Sequence, residues 1–368
     1  MSQAWEEKIR RASTAPGVIN LGGGLPSERH FPRAKLAESF LRVVNKARSG
    51  ALQYGWAEGQ AVLRSQIAAR LVARGARVTP DDVLVTSGAQ QAIAIATQLL
   101  LRPGQGVGVE EVTYPAALEL FRLRRLVPTE LTKTRCRYVM TLSNPLGTPL
   151  TAEARATAVQ GRGVLIEDDA YGELLFNGGA VPLLLGEAPE RTFHAGTFSK
   201  TLCPGLRVGW LVMPEAHRAR ARRLKEGDDL QANSLAQAVV SDYLAHADFE
   251  DHLQRLRRFY ARRAARLASA VKRALPSWNF RFPEGGFCLW ITADSRVGER
   301  RFVEDALDEG VTFDAGSSFS VSGSSALPTR LRLCFSYTSA GQFEEGARRL
   351  ARAWHRVARA SGRRRRSA

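Results

Sequence analysis

Cysteine is scarce in this chain, with four in 368 residues. Cys136, Cys203, Cys288 and Cys334 stand singly, with no Cys-x-x-Cys spacing. That pattern argues against a zinc knot or a disulfide framework and suits reduced thiols in a cytoplasm. Histidine numbers only six, too few to suggest an imidazole-built metal centre, and no metal is expected. No apolar run approaches the roughly 18 residues that read as a membrane-spanning helix. The opening Met-Ser-Gln-Ala-Trp-Glu-Glu-Lys lacks the apolar core of a secretory signal. Lysine is also rare: seven of the 53 basic residues, the other 46 being arginine. Arginine cannot stand in where a side chain must lose its proton and attack a carbonyl, so each lysine in an unusual setting is worth weighing.

What is present is ordinary for a soluble globular protein: 44% hydrophobic and 24% charged residues, on a length that suits two lobes. The formal net charge of +17 invites a nucleic-acid reading. Yet the arginines fall mostly on helical stretches (218–223, 255–266) and in a tail at 363–366. No zinc-finger spacing, RNA-binding aromatic motif or helix-turn-helix accompanies them. A solvated basic surface is the simpler expectation, with no specific nucleic-acid site and no membrane contact. The tail reads as disordered and suited to weak, salt-sensitive contact with polyanions.

Along the chain, a short polar helix precedes Val18-Ile19-Asn20-Leu21, which runs into Gly22-Gly23-Gly24 and Pro26. Three glycines together suit a backbone pressed close to something, or a flexible turn. Leu52-Gln53-Tyr54-Gly55 then leads to a helix carrying Leu63, Ile67 and Leu71 at i, i+4 and i+8. From Val83 onward, short apolar strands alternate with helices or loops: 83–86, 107–109, 138–142, 164–166 and 208–213. A β-leaning Thr192-Phe193-His194 enters the turn that carries Lys200. Strands without polar alternation, separated by helices, indicate a largely parallel sheet covered on both faces. Ligands bind such sheets at the carboxyl ends of the strands. An apolar stripe from Phe249 to Leu275 marks one long helix stopped by Pro276. A second α+β unit follows, with strands at 287–291 and 331–335 and a helix at 343–357.

Four strand ends carry candidate chemistry. Ser87-Gly88-Ala89-Gln90 opens a helix, where Gly88 allows close backbone approach and the first-turn N–H groups suit a phosphate. Asn144-Pro145-Leu146-Gly147 follows another strand, though alone it reads as an ordinary turn. Glu167-Asp168-Asp169 puts three carboxylates at the end of a buried strand, where they repel one another and resist desolvation. A cation in the site would account for them, supplied by a ligand or a metal. Arg332 interrupts an apolar strand, a costly place for an arginine unless it is paired. Its partner is either a bound carboxylate or an internal Asp or Glu. The block Thr197-Phe198-Ser199-Lys200-Thr201, with Pro204-Gly205-Leu206-Arg207 beyond it, places a lone lysine in an apolar turn. A reactive lysine, a phosphate site, a carboxylate for a cationic ring and an arginine for a carboxylate together fit pyridoxal phosphate.

In order, Gly-Gly-Leu-Pro, Leu-Gln-Tyr-Gly, Ser-Gly-Ala-Gln-Gln, Tyr-Pro, Asn-Pro-Leu-Gly, Asp-Asp-Ala-Tyr, Thr-Phe-Ser-Lys…Gly-Leu-Arg-Val-Gly and Leu-Arg-Leu resemble the class I/II aminotransferases of fold type I. The likeness spans residues 18–357 and is nearest the branch of 2-aminoadipate and kynurenine aminotransferases and the aminotransferase-like half of MocR-type regulators. It implies an α/β fold, with a mostly parallel seven-stranded sheet between helices and a smaller α+β domain. The expected division is 1–40 joining the small domain, 41–275 the large cofactor-binding domain, 276–359 the small domain and 360–368 a basic disordered tail.

The resemblance also implies roles. Lys200 forms a Schiff base with pyridoxal 5′-phosphate and shuttles the proton at the substrate α-carbon, while Asp168 pairs with the pyridine nitrogen. Asn144 and Tyr171 hydrogen-bond the ring's phenolic oxygen, and Tyr114 stacks on the ring. Gly88, Ala89, Gln90, Thr197, Ser199 and Arg207 hold the phosphate, with Tyr54 reaching in from the neighbouring subunit of a homodimer. Arg332 clamps the substrate α-carboxylate, near Gly23, Gly24 and Asn144. Ala89, Leu146, Ala170 and Ala315 stand where serine, threonine, proline and proline are usual in the family; Ala89 weakens phosphate binding only slightly, since backbone donors remain, while Ala170 and Ala315 leave substrate choice open. The expected activity is transfer of an amino group from an L-amino acid to a 2-oxo acid. Oxidase, lyase or cyclase chemistry on the same scaffold is the alternative. A ligand-sensing regulator is less expected, because it would need a helix-turn-helix domain ahead of a fold that begins near Val18.

Overall fold

The computed structural model describes residues 15–46, 50–294, 297–321 and 328–366, with side chains as far as residue 359. The short polar helix expected ahead of Val18 lies outside the described residues. In chain order the strands are β1 (Ile19–Asn20), β2 (Val83–Thr86), β3 (Gly106–Val109), β4 (Val127–Glu130), β5 (Cys136–Met140), β6 (Val164–Asp169), β7 (Thr192–Thr197), β8 (Gly209–Val212), β9 (Cys288–Thr292), β10 (Val311–Thr312), β11 (Asp314–Ala315) and β12 (Arg330–Cys334).

The chain divides into two compact units. The larger comprises residues 28–143 and 148–257; the smaller gathers the described residues up to Ser27, the turn at 144–147, and those from Arg258 onward. The sequence reading sets the boundaries at 41 and 275, but the units divide earlier, at 28 and inside the long helix Phe249–Ala274. The reason is that the two ends of that helix serve different cores. Phe249 packs against Phe198 and Tyr243 in the larger unit, whereas Tyr260 meets Phe287 in the smaller. A continuous apolar stripe gives no sign of such a handover.

Seven strands of the larger unit form one sheet in the order β2-β8-β7-β6-β5-β3-β4. Neighbours run parallel except at β8, which is antiparallel to both β2 and β7. The expected seven-stranded, mostly parallel sheet flanked by helices is therefore present. β2, β5, β7 and β8 are buried at every residue, as strands covered on both faces should be. Val139, Leu165, Ala158 and Leu184 join the sheet to the helices Ala152–Gln160 and Leu184–Glu187 in one apolar cluster. β4, Val-Pro-Thr-Glu, is partly exposed at the sheet's edge, where a proline lacking an N–H is tolerated.

In the smaller unit β12 lies between β11 and β9, antiparallel to both, and β1 pairs in parallel with β10. Trp278, Phe302 and Trp354 pack edge to face at its centre. The last helix, Phe343–Arg366, continues past residue 359, where the sequence reading starts a disordered tail. Of residues 360–366, Ala360 and the four arginines favour helix, while Ser361 and Gly362 do not. No helix among the described residues is long and apolar enough to cross a membrane.

Candidate active site

The carboxylate triplet lies within β6 rather than beyond its end. Successive strand residues point to opposite faces, and this separates the three. Glu167 accepts the backbone N–H groups of Leu184 (2.6 Å) and Leu185 (3.2 Å) at the start of a short helix. Its other contact is His194 Nδ1, at 2.9 Å. Asp169, on the same face, is held by the Arg74 guanidinium (Nη2 to Oδ1, 3.0 Å) and by the Thr141 hydroxyl at 2.6 Å. Burial pushes the Asp169 carboxyl up, but Arg74 outweighs it and holds it below the ordinary carboxylate value. Two of the three carboxylates are thus compensated within the fold.

Asp168 differs. It is buried, and its Oδ2 accepts the Tyr138 hydroxyl at 2.6 Å, while its Oδ1 has no hydrogen-bond partner among the described residues. Burial, with the neighbouring Asp169 charge, raises its carboxyl to about 6 despite the Tyr138 bond, the Ala170 backbone N–H and His194, which act the other way. The Tyr138 hydroxyl is itself pushed well up by burial and by Asp168, so it remains a donor. A buried carboxylate with one oxygen unanswered is matched by a small, hydrogen-bond-donating cation. No His, Cys, Asp and Glu grouping that could hold a metal ion occurs among the described residues.

Lys200 lies in the turn after β7, with its Nζ 5.6 Å from the centre of the buried Tyr171 ring. Beside it, the Thr197 and Ser199 hydroxyls are 2.8 Å apart, and the Ser199 N–H donates to Thr197 Oγ1. Arg207 adopts a left-handed backbone (φ 52°) that turns its exposed guanidinium back to the Ser87 carbonyl at 2.7 Å, with Ser199 Oγ at 3.5 Å. Gly88 (φ 91°) precedes the helix Ala89–Leu100, whose start has no side-chain cap. A Cβ on Gly88 would collide with Arg207 Nη2. The Gln90 side chain is turned away, to the Ala116 carbonyl. Guanidinium, two hydroxyls and an uncapped helix start are therefore brought together by these contacts, a combination suited to an anion.

In the smaller unit Arg332 is buried, and its neighbours Leu331 and Leu333 enter the core. Of the two partners open to it, the internal one is present: Asp314 Oδ2 takes Nε at 3.0 Å and Nη2 at 2.8 Å. Nη1 donates to Asn144 Oδ1 at 2.7 Å. Gly23 and Gly24 both have left-handed backbones, and Gly24 passes beside the guanidinium. Tyr114 stands at the start of the helix Pro115–Leu123 without a side-chain capping bond, and Tyr54 is 79% exposed.

Sequence reasoning misses Tyr138, Arg74, His194 and Asp314, whose parts depend on register across the sheets. It also misses Glu110, just after β3, whose carboxyl burial raises to about 7 and whose Oε2 has no partner among the described residues.

The sequence model of the family described as aminotransferase class I and II matches residues 16–350. The 2-aminoadipate transaminase of Thermus thermophilus is 32% identical, over 94% of this chain and 92% of its own. The aromatic-amino-acid aminotransferase 1 of Thermococcus litoralis is 29% identical, over 91% of this chain and 87% of its own. Among solved structures, the α-aminoadipate aminotransferase of Thermus thermophilus, complexed with N-(5′-phosphopyridoxyl)-L-leucine, aligns with a TM-score of 0.85 at 29% identity, covering 98% of this chain and 100% of that one.

Proposed function

Because the chain belongs to the class I and II aminotransferases, we propose that it uses pyridoxal 5′-phosphate to move the amino group of an L-amino acid to a 2-oxo acid. When bound, the cofactor supplies an electron sink for the substrate's α-carbon. Everything else falls to the chain's own residues. Lys200 attaches the cofactor through its amine and carries the proton at the α-carbon. Arg207, Thr197, Ser199 and the Ala89 and Gln90 N–H groups hold the phosphate, with Gly88 as the gap through which it approaches. Tyr171 and Asn144 address the ring's phenolic oxygen, and Tyr114 lies against the ring. Arg332 receives the substrate α-carboxylate beside Gly23, Gly24 and Asn144.

The observation that carries this reading is Asp168. Its partnerless buried oxygen and raised carboxyl are what a site awaiting a protonated ring nitrogen would have. Glu167 and Asp169, already compensated, have no such capacity. A homodimer with Tyr54 reaching the neighbouring phosphate is supported by the exposure of Leu52, Tyr54 and Trp56, at 74%, 79% and 81%. Apolar surface left this open marks an interaction face.

The test is chemical. The protein incubated with pyridoxal 5′-phosphate should turn yellow, and borohydride should bleach it and fix one cofactor mass to the peptide bearing Lys200. Lys200→Ala should show neither fixation nor turnover. A wild-type protein that stays colourless at saturating cofactor would end the reading.

A further inference from the structure

Antiparallel pairing of β11 with β12 sets Asp314 directly opposite Arg332. One carboxylate oxygen, Oδ2, receives Arg332 Nε, Arg332 Nη2 and the Gly23 N–H, at 3.0, 2.8 and 3.0 Å. Its companion Oδ1 lies where Gly22 has no side chain, since a Cβ there would come within 3.2 Å. The guanidinium carbon also lies over the Phe319 ring, 4.7 Å from the ring centre. Asp314 is therefore built into the strand pair and anchored from a second segment of chain.

From this we propose that Asp314 is a specificity-determining residue: a resident carboxylate that occupies the Nε edge of Arg332 and sets how tightly the site takes a ligand carboxylate. The inference rests on the reading of Arg332 as the receptor for the substrate α-carboxylate. Two consequences follow from charge. With no ligand bound, a buried guanidinium without a counter-ion would be costly, and Asp314 removes that cost. When a ligand carboxylate arrives on the Nη edge, the one guanidinium charge is shared between it and Asp314. The second anion is held weakly and leaves readily. That suits a site through which amino-acid and 2-oxo-acid carboxylates must pass in turn, where uniformly tight binding brings no gain in rate.

Asp314→Asn keeps an oxygen for the Nε edge and removes the charge. The holoenzyme is titrated calorimetrically with 4-methylpentanoate, a monocarboxylate with no amino or oxo group to react, and with its uncharged amide. Relief of repulsion between carboxylates a few ångströms apart predicts about tenfold tighter binding of the acid to Asp314→Asn, with the amide unchanged. Asp314→Ala should shift the same way, and the KM values of amino donor and 2-oxo acid should both fall. Disruption of the fold would weaken binding, so tightening cannot be mistaken for damage. Equal or weaker binding of the acid to both variants, with the wild type still preferring acid to amide, overturns the role of Asp314 alone. A wild type that does not prefer acid to amide overturns the reading of Arg332 and the inference with it.

Discussion

Replacing Asp168 with asparagine should make the cofactor-free protein more stable while removing its activity. The carboxyl is raised from its ordinary 3.8 to about 6, chiefly by burial. An acid whose folded pKa exceeds its unfolded one destabilises the fold. The penalty is absent below about 3.8, grows as pH rises toward 6, and is complete above it. At pH 8 it amounts to roughly 3 kcal/mol, and at pH 5 to about half that. Asparagine keeps an oxygen for the Tyr138 hydroxyl and carries no charge to desolvate. Urea unfolding of cofactor-stripped wild type and variant should therefore show the variant ahead by about 3 kcal/mol at pH 8, with the gap narrowing at pH 5. Adding pyridoxal 5′-phosphate should stabilise the wild type by more than the variant, since only the wild type gains an ion pair. Turnover should fall about a hundredfold or more. A variant no more stable than wild type at pH 8 would mean that Asp168 is already compensated within the chain and awaits no cation.

Gly88→Ala forces a side chain into a left-handed backbone and against the Arg207 fork. Spectrophotometric titration should show pyridoxal 5′-phosphate bound about tenfold more weakly, with unfolding changed by only about 1–2 kcal/mol. Arg332→Lys cannot serve Asp314 and a ligand carboxylate together, so kcat/KM for amino acids should fall about a hundredfold while the cofactor's absorbance is retained. Arg330→Lys, at the start of β12, should change little; the opposite pattern would move the carboxylate site to Arg330.

Much of this arrangement is legible in the sequence because it is local. The alternation of short apolar strands with helices gives the parallel sheet, and Thr197 to Arg207 lie close enough in the chain to converge whatever the rest does. Period two along β6 is also local, and it puts Glu167 and Asp169 on the face opposite Asp168. What supplies partners to that face is not local: Arg74 comes from the end of a helix and His194 from β7, placed by sheet order. Tyr138 reaches Asp168 only because β5 and β6 pair with Met140 beside Asp168. Asp314 carries no motif, and only the β11–β12 register reveals it as the counter-ion of Arg332. β4 escapes notice because Pro128 and its exposed neighbours show neither apolar alternation nor a buried run. The domain boundary escapes because helix periodicity is blind to which core each turn faces.

Amino-group transfer is tested by a panel of L-amino acids incubated with the cofactor-loaded protein and 2-oxoglutarate, reading glutamate, ammonia and peroxide together. For at least one amino acid, glutamate should appear in step with the matching 2-oxo acid, and neither ammonia nor peroxide should accumulate. Ammonia or peroxide in place of glutamate, or no product from any member of the panel, would contradict the assignment.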